Sequence, residues 1–154
     1  MKRLSSITSP LIMLIMMFVV PFVSSCEKDE DVDAKNDKEI QDYIAANNLV
    51  AVKTSSGLYY VIDVPGTAQK PTINSDVRVT YTGFYTDEEV FDSNTLTFPL
   101  SGVIQGWQEG LQFFGKGGKG MLLVPSKMGY GSKPPAGIRV NAVLIFNIHL
   151  IDIK

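Results

Sequence analysis

Along residues 56–154 the apolar positions recur mostly every second residue. Leu58, Tyr60, Ile62 and Val64 alternate with Tyr59, Val61 and Asp63 until Pro65-Gly66 closes the run, which predicts a strand and a turn. Val77, Val79 and Tyr81 share one face while Arg78, Thr80 and Thr82 share the other, the period of a half-exposed strand. Residues 89–102 predict two short extended pieces around a turn at Ser93-Asn94. The apolar stretch Met121-Leu122-Leu123-Val124, stopped by Pro125, predicts a buried strand. In the last segment Ala142, Leu144, Phe146, Ile148 and Leu150 alternate with Val143, Ile145, Asn147, His149 and Ile151, which predicts a long C-terminal strand. Two segments break the period. Ile104, Trp107, Leu111 and Phe114 fall at three- and four-residue spacing, a helix face, and Ile40, Tyr43 and Ile44 predict a short lead-in helix ending near Asn47-Asn48. Hairpin-like spacings around one substantial helix give an α+β class, an antiparallel sheet wrapped on that helix.

The turn after that helix holds a literal G-x-G-x-x-G in Gly115, Gly117 and Gly120. A dinucleotide site requires a strand before the glycines, a helix after them and an acid about 20 residues further on. Here a helix precedes, a strand follows, and the next acid is Asp152. A phosphate loop fails as well, because Met121 stands where lysine is required. The glycines are therefore read as a helix stop and a turn.

The ends have a different texture. Lys2 and Arg3 precede an apolar run over residues 11–23, and Ser24, Ser25 and Cys26 follow, the order of a secretory signal. Thirteen residues interrupted by Pro21 are too short for a spanning helix, which needs about 20. Val23-Ser24-Ser25-Cys26 resembles a bacterial lipobox, which implies a lipid on Cys26 and a mature chain starting there. The alternative is ordinary secretion with a free thiol, since a single cysteine allows no internal disulfide. Residues 27–42 carry eight acids and three lysines, net −5, and are read as a solvated acidic tether over 26–38 leading into the helix and connection of 39–55. Glu27, Asp29, Glu30 and Asp31 also look like the surface-export signal of lipoproteins in Bacteroidetes-like bacteria. The envelope, at the outer membrane, is the expected location. The remaining domain, near net +1, lacks the basic stripe that nucleic acid requires.

Counting removes further chemistry. His149 is the single histidine, no Cys/His pair exists and no G-x-S-x-G elbow is present, so neither a metal nor a nucleophile is expected. Asp87, Glu88 and Glu89 read as solvated turn charges. What stands out is aromatic and aliphatic: Tyr81, Phe91, Phe98, Ile104, Trp107, Tyr130 and Phe146. Such residues usually fill a core. Phe91-Asp92-Ser93 and the loop around Tyr130 are the contexts that favour a site.

Four ordered segments, YTGFY with VFDS (81–93), FPLSGVIQGWQEGL (98–111), GKGMLLVPSKMGYG (118–131) and NAVLIFNIHL (141–150), resemble the FKBP-type peptidyl-prolyl isomerases, the macrolide-binding immunophilins, over residues 56–154. The lipobox and lead-in helix look like the bacterial lipoprotein members. The resemblance implies a sheet curled around one helix and a cofactor-free isomerase acting on proline-containing polypeptides, with a macrolide as a further ligand. It implies catalytic roles for Tyr81, Asp92, Ile104 and Tyr130, and a substrate pocket of Phe91, Leu96, Val103, Trp107, Ile138 and Phe146, with Trp107 as its floor. Leu96 replaces an aromatic common at the rim, and Arg139-Val140 replaces a Pro-Pro pair. A catalytically weak chaperone module on the same scaffold is the alternative these departures leave open.

Overall fold

The computed structural model describes residues 26–154. The signal-peptide reading of residues 1–25 lies outside them. Six strands, β1 (Val52–Lys53), β2 (Tyr59–Val64), β3 (Asp76–Phe84), β4 (Val90–Pro99), β5 (Lys119–Val124) and β6 (Leu144–Ile153), form one sheet in the order β1-β2-β5-β6-β3-β4. Every pairing is antiparallel. Helix α2 (Gln105–Gly110), continued by a 3-10 turn at Leu111–Phe113, packs on one face of the sheet. This is the expected α+β arrangement.

The main core lies between α2 and the sheet. Val77, Val79 and Tyr81 of β3, Leu122 and Val124 of β5, and Phe146, Ile148 and Leu150 of β6 point at Trp107, Leu111 and Phe114. Period-two alternation is what brings them there, because side chains two apart share a face. The helix approaches closely where it has no side chains: Cβ atoms on Gly106 and Gly110 would collide with Val124 and Leu122 of β5.

The acidic block departs from its reading as a tether. Helix α1 runs unbroken from Cys26 to Ala46, with Asn48 in the left-handed region just beyond (φ 52°). Ile40 and Tyr43 are buried on the other face of the sheet, against Tyr59, Val61, Phe84, Leu123, Val143 and Ile145. Those are the second side chains of the alternating strands, and burying them stabilises by about 1.5–3 kcal/mol per large residue. The polar flank of α1 is fastened too. Asp37 meets Lys53 Nζ at 2.6 Å and accepts from the Tyr59 hydroxyl at 2.8 Å. The Lys53 ammonium, then Tyr59, holds the Asp37 carboxyl below its ordinary range. Composition alone hid this docking because only every third or fourth residue of 31–46 needs to be apolar.

β4 is likewise one ten-residue strand rather than two pieces around a turn. It is the sheet edge and largely exposed, so no hydrophobic alternation marks it. Hydroxyl pairs bind it to β3: Thr80 with Thr95 at 2.8 Å and Thr82 with Ser93 at 3.1 Å. His149 is half-buried in β6 opposite Thr80, and no group of metal-ligating residues occurs among the described residues. Nor is any described helix long and apolar enough to cross a membrane.

Candidate active site

Between α2, β4 and the loop before β6 lies a cavity of about 500 Å³ lined by Tyr81, Phe91, Asp92, Leu96, Phe98, Gly102, Val103, Ile104, Trp107, Tyr130, Ile138 and Phe146. All ten residues that the family resemblance assigned to the site are therefore brought together, and Phe98, which also stood out in the sequence, joins them. Gly102 completes the wall.

Each side chain is placed by its element. Trp107, on the inner face of α2 and 5% exposed, forms the floor. The ring of Tyr81 meets it edge-on at 5.0 Å and 89°, and that of Phe146 at 5.2 Å and 85°. Phe91 stands edge-on to Phe146 at 5.6 Å, and Phe98 tilts onto Trp107 at 5.5 Å. Edge-to-face contacts of this kind place positive ring edges on negative faces and fix the rings' orientation. The indole Nε1 of Trp107 is buried with no hydrogen-bond partner among the described residues, so the rest of the floor is the apolar face of the ring. A Cβ on Gly83 would strike the Phe91 ring, so the missing side chain is what lets Phe91 approach β3 this closely.

Polar groups sit at the rim. The Tyr81 hydroxyl donates to Asp92 Oδ2 at 2.5 Å. Burial, and then the Asp92 carboxylate, push the Tyr81 phenol well above its ordinary range. Tyr130 is also raised, by burial first and then by the Asp92 charge. Ordinary tyrosine ionises near 10, so both phenols remain donors at neutral and mildly alkaline pH. Tyr130 is 40% exposed on the loop after a 3-10 turn at Ser126–Met128. Ile104 caps α2 in an extended conformation (φ −60°, ψ 151°), and its carbonyl takes the N–H groups of Trp107 and Gln108. Its own N–H, and the Tyr130 hydroxyl, donate to no acceptor among the described residues. Two donors without a protein acceptor thus belong to residues that line an apolar cavity.

Tyr85 was not singled out from the sequence. Its hydroxyl accepts from the Arg139 N–H at 3.1 Å, and the Arg139 guanidinium lies 4.0 Å over its ring. The same guanidinium bridges Asp87 and Glu89. Arg139 holds Asp87 below the usual carboxylate range, so two of the three turn acids are engaged rather than merely solvated. Tyr85 packs on Phe91 at 4.9 Å, which connects this clamp to the cavity wall. A Tyr-Arg pair 54 residues apart leaves no spacing signal.

A curled antiparallel sheet closed on a short helix, with an aromatic cavity between them, defines a class of small ligand-binding α+β domains. Within that class the chain belongs to the FKBP-type peptidyl-prolyl cis-trans isomerase family, whose description matches residues 67–151. The FKBP-type isomerase FkpA of Aeromonas hydrophila is 40% identical over 86% of this chain and 52% of its own length. The outer membrane protein MIP of Legionella longbeachae is 39% identical over 83% of this chain and 57% of its own length. The crystal structure of FkpA from Escherichia coli superposes with a TM-score of 0.72 at 31% identity, covering 84% of this chain and 63% of that one. A peptidyl-prolyl isomerase structure from Pseudomonas syringae gives 0.71 at 29%, covering 81% and 95%. The chain spans about half the length of the curated relatives it matches.

Proposed function

We propose that this protein catalyses cis/trans isomerisation of X-Pro bonds in exported polypeptides, with Tyr81, Asp92, Ile104 and Tyr130 as its working polar groups. The observation that carries this reading is the pair of uncommitted donors, Ile104 N–H and Tyr130 hydroxyl, beside a cavity floored by Trp107. Resonance gives the planar amide its barrier of about 18–20 kcal/mol and its polarity. Twisting removes the resonance, so the transition state is less polar and enters an apolar site at lower desolvation cost than the planar ground state. Proline supplies a compact apolar ring for the floor and two populated isomers to exchange. Carbonyls on either side would accept from Ile104 N–H and Tyr130, fixing the chain while the bond turns. Tyr81 and Asp92 satisfy each other at the rim and carry no proton to substrate.

The test is exchange spectroscopy on a Leu-Pro peptide with the protein at substoichiometric concentration. Acceleration by wild type is expected, and Tyr130→Phe should lower kcat/KM about tenfold, the loss of one hydrogen bond worth about 1.4 kcal/mol, while its thermal midpoint stays unchanged. A fully active Tyr130→Phe would remove the hydroxyl from the mechanism.

The cavity also lies within the usual size of small-ligand sites, about 300–1,000 Å³, which supports a macrolide as a second ligand. Leu96, 45% exposed at the rim, leaves that wall low and supports the weaker-catalyst, chaperone reading. Protection of a client from aggregation that survives Trp107→Ala would favour the chaperone.

A lipid on Cys26 would place the domain at the envelope, on the outer membrane. Because α1 is docked along the sheet rather than free, the domain would ride close to that surface. Cys26→Ala is expected to move the protein from the membrane to the soluble fraction on fractionation. Unchanged membrane retention would overturn the anchor.

A further inference from the structure

Among the described residues two non-aromatic polar residues are buried, Asn36 and Ser126, each 2% exposed, and the Asn36 side chain and the Ser126 backbone belong to one structure. Asn36 Oδ1 accepts from the Ser126 N–H at 2.8 Å. The Ser126 carbonyl accepts from the Gly131 N–H at 2.9 Å, and the Gly131 carbonyl from the Asn141 N–H at 2.9 Å. The Asn141 carbonyl then accepts from Asn36 Nδ2 at 3.1 Å. Four hydrogen bonds thus close a ring, and only one orientation of the carboxamide satisfies both of its arms.

The ring encloses the segment that carries the rim of the cavity. Tyr130 precedes Gly131, and Ile138 lies on the span whose ends the Gly131–Asn141 bond joins. Its far end is held separately, by the Arg139 clamp on Tyr85, Asp87 and Glu89 and by Ile138 against the core, so the ring acts on the near end that carries Tyr130. Residues 132, 133, 135–137, 139 and 140 are exposed, and Gly131, Gly137 and Asn141 all adopt positive φ (57°, 91° and 53°). Glycine loses the most conformational freedom on ordering, so such a loop is fixed only by bonds from outside. Docking of α1 itself does not require Asn36, since Ile40 and Tyr43 supply the apolar contact further along the helix. Burying a carboxamide is unfavourable unless both ends are bonded, so each arm of Asn36 contributes to holding the ring, and losing both costs more than losing one.

We propose that Asn36 is a positioning residue for the isomerase reaction: through the four-bond ring it holds Tyr130 where its hydroxyl meets the carbonyl flanking the proline. The inference rests on the isomerase reading above. It makes α1 part of the active site's support, although no residue of α1 lines the cavity.

A double-mutant cycle on the full chain tests it, read by exchange spectroscopy on a Leu-Pro peptide and by amide hydrogen exchange. Asn36→Ala is expected to lower kcat/KM about tenfold in the Tyr130 protein and less than about twofold in the Tyr130→Phe background, because a misplaced hydroxyl and an absent one are the same loss. Protection of the Gly131 and Asn141 amides should fall with it. Asn36→Asp keeps an acceptor for Ser126 N–H and lacks the donor for Asn141, so an intermediate loss is expected should Asn36→Ala not fold. Asp33→Ala, which removes only the exposed ion pair to Lys127, should change nothing. Equal losses in both backgrounds, or full turnover in Asn36→Ala, would overturn the proposal. Absence of turnover in wild type would overturn the isomerase reading instead, and the exchange arm would still decide the ring: retained protection in Asn36→Ala would refute it.

Discussion

Trp107→Ala is expected to lower kcat/KM by more than about 100-fold, a loss of about 2.7 kcal/mol of transition-state stabilisation. The indole is the floor of the cavity, and Tyr81, Phe98 and Phe146 all orient themselves on it. Removing it opens the floor to water, which restores the solvation that an apolar site withholds from the planar amide and abolishes its preference for the twisted one. The same substitution empties a buried volume, and Trp→Ala changes of that kind cost about 3–5 kcal/mol of stability. A merely unfolded variant must therefore be separated from a disarmed one. Leu111→Ala is the control. Leu111 continues the same helix, is wholly buried and does not line the cavity, so its loss should cost a comparable 2–5 kcal/mol or so while leaving folded protein that turns over at near wild-type rate. Thermal midpoints measured beside exchange rates at low temperature make the comparison. If Leu111→Ala lost as much activity per folded molecule as Trp107→Ala, the indole would be core and not floor.

How much of this site was legible in the sequence follows from how each residue is held. β3 and β6 bury every second side chain in the main core, so alternation announced them, and with them Tyr81 and Phe146. Trp107 was legible because the three- and four-residue spacing continues through the 3-10 turn to Phe114. Ile104, Asp92 and Tyr130 were legible through the order of four motifs, since nothing in their own neighbourhoods distinguishes a free backbone donor from a bonded one. β4 was misread as broken because an exposed edge carries Ser93-Asn94 without cost, its bonds going to β3 through the backbone. Asn36 was invisible for the opposite reason. It is one polar residue among many in residues 27–42, and its burial depends on Ser126 and Asn141, 90 and 105 positions away. Long-range polar satisfaction has no period, whereas apolar burial does.

The glycine pattern offers the second large effect. Gly115→Ala is expected to destabilise the domain by about 3 kcal/mol or more, about 10 °C in thermal midpoint for a chain of this length. The loops at residues 65–67 and 115–118 are laced backbone to backbone: Gly115 N–H donates to the Pro65 carbonyl at 2.8 Å and Thr67 N–H to the Lys116 carbonyl at 2.9 Å. A Cβ on Gly115 would fall inside the contact radius of the Thr67 carbonyl oxygen, a backbone atom that no rotamer change can move aside. Gly120 is in the same position against the Val61 carbonyl, within the β2–β5 pairing. Gly117 differs. It needs the left-handed conformation (φ 80°), but a Cβ there would meet open space, so Gly117→Ala should cost only about 1 kcal/mol. The ranking discriminates between two meanings of one motif. Glycines that admit a pyrophosphate stand clear of the protein's own backbone, and alanine there would impair a ligand more than the fold. Here two of the three are filled from the other side by the chain itself, so unfolding measurements should order Gly115→Ala and Gly120→Ala far below Gly117→Ala. Equal midpoints for the three variants would mean that the loops separate in solution and that the glycines serve something other than their closure.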